Sequence, residues 1–438
     1  MLPRKTTLTL LLLAALLGAM RWIDPVKRLE PAKTPEPKPE VTLEPKVVEP
    51  KPKPVWKPLP PPELGNPVVE DPAGSMSAFY AALKKTEAAE AGAITRVVHY
   101  GDSPTTADSI TADVRALLQE RFGDAGHGFV LISKPWAWYG HRGIGIRAKG
   151  WKEEAASQGD RAKDRLHGLG GVACLGSAGA TSTITLPDTG HKRVEVQFLR
   201  QPAGGDFKVE SGDQTLLNVS TGGEEKSNGF TAADLPPGAM SIKITVTQGK
   251  VRIFGVWFEK AATGVTYSSL GLNGAGVQTL LRFFEPVHWK AQLQHQQPHL
   301  VVLNYGSNEA DFGKYIETAY PSELKELIRR VQDAAPKSSI LVMGPMDRGM
   351  KDRSGDIVTM ATIPKLIDTQ RRVAAEMGVA FFDTYRAMGG SGTMARWYLE
   401  KPRMVAADYL HPTPGGAAKV GALLNQALLD GFEQWKAK

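Results

Sequence analysis

The sequence predicts an α/β protein: a three-layer α/β/α arrangement around a five-stranded parallel sheet, interrupted by an inserted antiparallel β-sandwich. Three observations lead there. From about residue 76, apolar runs of strand length alternate with amphipathic helical stretches, the pattern of a parallel sheet covered on both faces. Short Gly-containing motifs follow the first three runs, where such sheets place their ligands. The chain between the first two runs is far longer than a βαβ crossover needs, and it is filled with period-two strands.

The N-terminal segment, residues 1–25, reads as a signal peptide or signal anchor. Arg4 and Lys5 precede an apolar run from Leu8 to Met20, which Arg21 closes. That run is short for a membrane span, which needs ~20 apolar residues. Leu17-Gly18-Ala19-Met20 is the best cleavage context, and no cysteine lies nearby to take a lipid. Residues 26–75 form a linker. Its stretch from Pro31 to Pro62 interleaves proline with Lys, Glu and Val, a composition that cannot bury a core and favours extended polyproline II.

The folded part is expected as residues 76–135, a catalytic-domain first half, and 263–438, its second half. Strands are expected at Val97–Gly101, Val265–Leu270, Leu300–Tyr305, Ser339–Gly344 and Val379–Asp383. Helices are expected at Thr106–Phe122, Val277–Gln292, Ser322–Ala334, Ile363–Met377 and Pro414–Trp435. The insert, 136–262, carries alternating strands at Thr181–Leu186, Arg193–Leu199, Ser241–Thr247 and Val251–Glu259. Turn residues such as Asp188-Thr189-Gly190 and Gln248-Gly249 separate them.

Composition excludes some functions. The net charge of +7 is modest for 438 residues, and no basic face with interleaved aromatics stands out, so no nucleic-acid partner is expected. The lone Cys174, in Gly-Gly-Val-Ala-Cys-Leu-Gly, allows no intrachain disulfide and reads as a small core residue. No His-Glu-x-x-His, Walker loop, dinucleotide fingerprint or Gly-x-Ser-x-Gly elbow occurs, and neither a metal nor a cofactor is expected.

Four blocks carry chemistry. Gly101-Asp102-Ser103 ends the first strand and exposes a hydroxyl at the carboxyl edge of the sheet. Gly271-Leu272-Asn273-Gly274 and Gly306-Ser307-Asn308-Glu309 follow the next two strands, and Asp408-Tyr409-Leu410-His411 lies near the C-terminus. A serine hydroxyl needs a base, which His411 supplies, and Asp408 is placed to set the imidazole tautomer. Asn308 offers a neutral N–H to a developing oxyanion, where a carboxylate would repel it. Asp102 is expected to cap a turn, Glu309 to be structural and His99 to be a hydrogen-bonded core residue. Trp136-Ala137-Trp138-Tyr139-Gly140-His141, where the insert begins, either lines the cleft or packs the two domains together.

In this order the blocks resemble the SGNH (GDSL-type) hydrolase family, with its flavodoxin-like sheet. The resemblance implies a serine ester hydrolase with Ser103, Asp408 and His411 catalytic and Ser103, Gly274 and Asn308 forming the oxyanion hole. Two departures stand out: Pro104 follows the nucleophile, and Glu309 stands where Asp is common. The inserted β module is similar to that of wall-polysaccharide O-acetylesterases. The expectation is therefore an exported enzyme, periplasmic or at the cell surface, held to the membrane if the N-terminal segment is retained. It would remove acyl groups, O-acetyl above all, from an acylated carbohydrate such as peptidoglycan. A polysaccharide O-acetyltransferase with the same triad and a non-catalytic wall-binding protein are the alternatives.

Overall fold

The computed structural model describes residues 56–260 and 262–438. The signal segment and most of the expected linker lie outside the described residues. Among the described residues, no helix is long and apolar enough to cross a membrane.

All five expected parallel strands form. Across the sheet they run Ala380–Phe382, Ser339–Met343, Leu300–Asn304, Ile94–Gly101 and Gly264–Gly271. A sixth strand, Val69–Glu70, adds to the outer edge antiparallel to Ala380–Phe382, so the sheet is mixed. This strand falls in the segment expected to be linker, and the fold therefore starts before residue 76. Polar contacts, one of them to a distant helix, hold this segment in place. Glu70 accepts from Arg371 Nε at 2.9 Å, and Asp71 accepts the backbone N–H groups of Ser75 and Met76 at 2.7 and 2.9 Å.

Alternate side chains of these strands enter two cores. Val97, Val265, Val302 and Leu341 pack under the helices Ser77–Glu87, Ser109–Phe122 and Pro414–Lys436. Val98, Val301, Leu303 and Val342 face the other way, under Tyr320–Ala334 and Thr362–Glu376. Each helix turns its apolar stripe inward; Val420, Leu424, Leu428 and Phe432 of the last helix are all fully buried. Full burial of one such side chain is worth ~1.5–3 kcal/mol.

Two expected helices are broken. The first starts only at Ser109, because Asp108 adopts φ 54°, outside the right-handed helical region. The stretch from Val277 divides into Val277–Phe283 and Pro286–Gln296. Pro286 disfavours helical geometry in the residue before it, and Glu285 instead caps the second helix through His288 N at 2.7 Å.

The inserted strands join one nine-stranded, hydrogen-bonded network rather than two separate sheets. The long strand Val172–Thr185 makes the link. Its C-terminal part pairs with Ser241–Gln248, and its N-terminal part pairs with Lys250–Lys260, the other arm of the same hairpin. Gly179, at φ +92°, lies between the two pairings, a conformation L side chains rarely adopt. The layers still enclose a shared core, with the Phe198 and Phe207 ring centroids 5.5 Å apart. A short strand upstream of residue 136, Gly128–Val130, also pairs into this network against Val256–Phe258. The core of the β module is continuous with one face of the parallel sheet.

Candidate active site

The turn carrying Ser103 is packed tightly against two strand ends. Ile94–Gly101 leads almost directly into a short helical turn, Ser103–Thr106. A Cβ on Gly101 would lie 2.1 Å from Thr105 Oγ1, and one on Gly271 would lie 2.4 Å from Thr106 N. Neither position admits a side chain, so two glycines at neighbouring strand ends let the turn sit over the sheet edge. Pro104 falls in the first turn of that helix, where a missing N–H costs nothing. Behind it, Asp108 accepts from Thr111 Oγ1 at 2.6 Å, Arg115 Nη2 at 2.6 Å and Arg142 N at 2.8 Å. Burial raises its pKa, but Arg115 and His141 outweigh that and hold the carboxyl well below the usual range. Asp108 thereby ties the Ser103 turn to the entry of the β module.

The structure brings Ser103, His411 and Asp408 into one hydrogen-bonded chain. His411 Nε2 lies 2.8 Å from Ser103 Oγ, and His411 Nδ1 lies 2.7 Å from Asp408 Oδ2. Asp408 Oδ1 also accepts the backbone N–H groups of Leu410 and His411, each at 3.0 Å. Tyr409, at φ 59°, folds the loop back so that both amides reach that oxygen. The loop is pinned by Ala406 N donating to His411 O at 2.8 Å and Gly349 N donating to Tyr409 O at 2.9 Å. Thr413 then caps the helix Pro414–Lys436. Partial burial pushes the Asp408 carboxyl up, but the His411 side chain and the two amides more than offset this and hold it below its ordinary value. An ionised carboxylate at Nδ1 leaves Nε2 as the acceptor facing the serine hydroxyl.

Gly274 and Asn308 converge on the same sheet edge from the two strands that flank the Ser103 strand. Leu272 N donates to Gly101 O at 3.0 Å, which holds the chain before Gly274 beside the Ser103 strand. Asn308 Nδ2 donates to Ala275 O at 2.7 Å. One amide hydrogen thus fixes the Gly274–Gly276 turn, and the second remains to donate elsewhere. Ser103 and His411 line a hollow of about 410 Å³ together with Trp138 and Asn273. Gly274 and Asn308 line one of about 400 Å³ with Phe312 and Tyr315. The consecutive residues Asn273 and Gly274 join the two hollows.

Beneath the turn lie two more carboxyls. The Asp102 side chain makes no capping bond to the helix that follows it and is buried with Oδ2 unpartnered. Burial first, and then the neighbouring Glu309, push it up to about 7. Glu309 accepts from Val277 N at 2.8 Å, leaves Oε2 unpartnered and is pushed by burial to about 7. A Cβ on Gly276 would lie 2.5 Å from Glu309 Oε1, so this carboxyl packs directly against the Gly274–Gly276 turn.

His99 is the core residue expected, with Nδ1 2.7 Å from the Tyr267 hydroxyl. Cys174 is buried, which pushes its thiol well up. The aromatic stretch divides between its two readings. Trp138 is 57% exposed and lines the Ser103 hollow, whereas His141 is buried with Nε2 3.1 Å from His127 Nδ1. The loop 157–165 was not singled out in the sequence, because its role depends on a contact across the fold. Ser157 Oγ and Gln158 Nε2 both donate to Asn273 O. Among the described residues, no group of three or more His, Cys, Asp or Glu could hold a metal ion.

Comparison with known proteins bears on this geometry. Residues 246–419 match the GDSL-like lipase/acylhydrolase family, a span containing Gly274, Asn308, Asp408 and His411. The structure is similar to that of a peptidoglycan O-acetylesterase. The two share 22% identity with a TM-score of 0.72, covering 84% of this chain and 99% of that one. A Bacillus subtilis protein (14% identity, 65% of this chain and 90% of that chain, TM-score 0.34) is a more distant match. So is a family two carbohydrate esterase from Clostridium thermocellum solved with cellohexaose, at 13% identity, 65% and 98% coverage, and a TM-score of 0.30. A search of curated proteins returns no match. The chain thus resembles the SGNH hydrolases in its family match and carries the fold of an O-acetylesterase.

Proposed function

We propose that this protein is an exported serine ester hydrolase that removes O-acetyl groups from a cell-wall or extracellular polysaccharide, with peptidoglycan the leading substrate. The hydrogen-bonded chain from Ser103 through His411 to Asp408, at 2.8 and 2.7 Å, carries the reading. Ser103 Oγ attacks the acetyl carbonyl carbon while His411 Nε2 takes its proton. Asp408 holds the Nδ1 hydrogen and stabilises the imidazolium. Negative charge gathering on the carbonyl oxygen is met by the N–H groups of Ser103 and Gly274 and by the free hydrogen of the Asn308 amide. The intermediate collapses, His411 returns the proton to the departing sugar oxygen, and acetyl remains on Ser103. Water, deprotonated by His411, then releases acetate and restores the serine.

Support for a sugar substrate comes from two exposed aromatic rings on either side of this centre. Trp138 borders the Ser103 hollow and Phe312, 62% exposed, borders the Asn308 hollow. Flat apolar faces of this kind stack on pyranose rings. Export is supported by the basic-then-apolar pattern of Arg4, Lys5 and Leu8–Met20.

Acetate release tests the proposal, measured on acetylated peptidoglycan beside acetylated xylan and a short lipid ester. Preferential release from peptidoglycan is expected. No release from any ester would leave a binding protein. Transfer of acetyl to an added glycan faster than release to water would make the protein a transferase.

A further inference from the structure

A second cleft, of about 900 Å³, opens beside the oxyanion turn between the β module and the helix Val277–Phe283. Seven of its lining residues are Lys or Arg and three are Asp or Glu. The carboxylates are mostly spent internally. Asp164 is held by Arg252 at 2.9 Å and Lys226 at 2.7 Å, and Glu154 by Lys152 at 2.8 Å. Among the described residues, Arg161, Lys163 and Arg165 have no carboxylate partner within salt-bridge distance. Arg161 is fixed in place, its guanidinium 3.9 Å over the Phe283 ring and donating to Gln158 O. Lys163 and Arg165 are exposed.

This cleft is joined to the Ser103 site by chain geometry. Ser157 and Gln158, at the start of the cationic loop, hold Asn273 O, and Asn273 lines the Ser103 hollow. The helix Val277–Phe283 begins beside Gly276 and ends at the cleft, a distance on the order of 10 Å at 1.5 Å per residue. A molecule reaching both places is therefore extended. A neutral glycan has no use for unpaired cations. Planar guanidinium groups match carboxylates in two-point hydrogen bonds, and lysine adds a point charge.

We infer that the loop 159–165 forms a secondary binding site for carboxylate groups on the same polymer whose ester lies at Ser103, so that the substrate is a carboxylate-bearing acylated glycan. This rests on the ester-hydrolase reading above. The cleft holds the chain by its charges while the two aromatic-lined hollows hold the sugar being processed.

The test uses the full chain carrying Ser103→Ala, so that nothing turns over. Binding is measured to soluble glycan strands with free peptide carboxylates and to the same strands with those carboxyls amidated, at low and high salt. The carboxylated strands are expected to bind about tenfold tighter, a difference that shrinks with added salt. Adding Lys163→Gln and Arg165→Gln, with folding checked by thermal melting, is expected to erase most of that preference. Restoring charge as Lys163→Arg with Arg165→Lys is expected to recover it. Equal affinity for both strands, or a preference surviving the double glutamine variant, overturns the inference. Tighter binding of a phosphodiester-linked polymer than of the carboxylated strands also overturns it. The two proposals fail separately. Carboxylate-dependent binding by a protein that releases no acetate sinks the hydrolase reading alone. Acetate release by a protein blind to the carboxylates sinks the cleft alone.

Discussion

The Asp408 carboxyl, on the His411 side of the site, and the Asp102 and Glu309 carboxyls, beneath the Ser103 turn, are the same chemical group in opposite surroundings. Asp408 is 51% exposed and receives three hydrogen bonds, which keep it ionised. Asp102 and Glu309 are buried, each leaves one oxygen unpartnered, and burial pushes both to about 7. On the proposed mechanism the direction of each shift suits its place. A carboxylate orienting an imidazole has to carry charge, whereas a fixed negative charge behind an oxyanion opposes the reaction. Solvent contact and donor count, rather than residue type, set the difference.

Removing the proposed base should produce the largest effect. His411→Ala is expected to lower kcat for a small acetyl ester by at least ~10³, since among the described residues His411 is the side chain hydrogen-bonded to Ser103 Oγ. A smaller loss would mean that Ser103 is activated some other way. Asn308→Ala should cost ~10²–10³ in kcat with KM little changed, because its free hydrogen matters chiefly in the transition state. A change confined to KM would make Asn308 a substrate-binding or scaffold residue. Asp408→Asn should cost about 10², less than the ~10⁴ known for a buried triad carboxylate. Water can reach His411, whose side chain is 41% exposed, and partly replace the lost charge. A full ~10⁴ loss would remove the contrast between an open and a sealed triad.

The buried acids and bases give smaller, opposite pH signatures. Glu309 titrates at about 7 when folded and near its ordinary value of 4.5 when unfolded. As pH rises through that window the unfolded chain releases a proton that the folded one retains, so stability falls. Glu309→Gln cannot ionise, and its melting temperature relative to the wild type should be higher by a few degrees near pH 8 than near pH 5. Equal differences at both pH values would mean that Glu309 is ionised when folded. His141 behaves in reverse, with burial lowering it to about 4 despite the attraction of Asp108. Between its ordinary value of 6.5 and about 4 the unfolded chain takes up a proton the folded one refuses, and stability drops as pH falls. His141→Gln should flatten that slope by up to one proton, ~1.4 kcal/mol per pH unit, whatever its absolute melting temperature.

Much of the site was legible because its parts sit at strand ends, and strand ends were marked by glycine. Gly101 and Gly271 show why: the turn bearing Ser103 leaves no room for a Cβ at either. The parallel strands were legible as continuous apolar runs. Other features depend on contacts distant in sequence, which periodicity does not encode. Glu309 reads in the sequence as a structural residue of the Gly-Ser-Asn-Glu block, and its burial against the Gly274–Gly276 turn shows what it packs against. The charged loop 159–165 is unremarkable until Ser157 and Gln158 are seen to reach Asn273. The break before Pro286 was readable from its proline, yet the apolar spacing across it favoured one long helix. The single folded-over sheet of the β module depends on a bend near Gly179, one glycine among 45.

The central claim, that Ser103 is the acyl acceptor, is tested most directly by mass spectrometry of the intact protein. The full chain is mixed with an activated acetyl ester and quenched within the first turnovers. One acetyl group is expected per molecule, located on the peptide containing Ser103. It should be absent from Ser103→Ala, whose hydrolysis rate should fall by several orders of magnitude. An acetyl group on another residue, or a Ser103→Ala variant retaining even a tenth of the wild-type rate, would contradict the account.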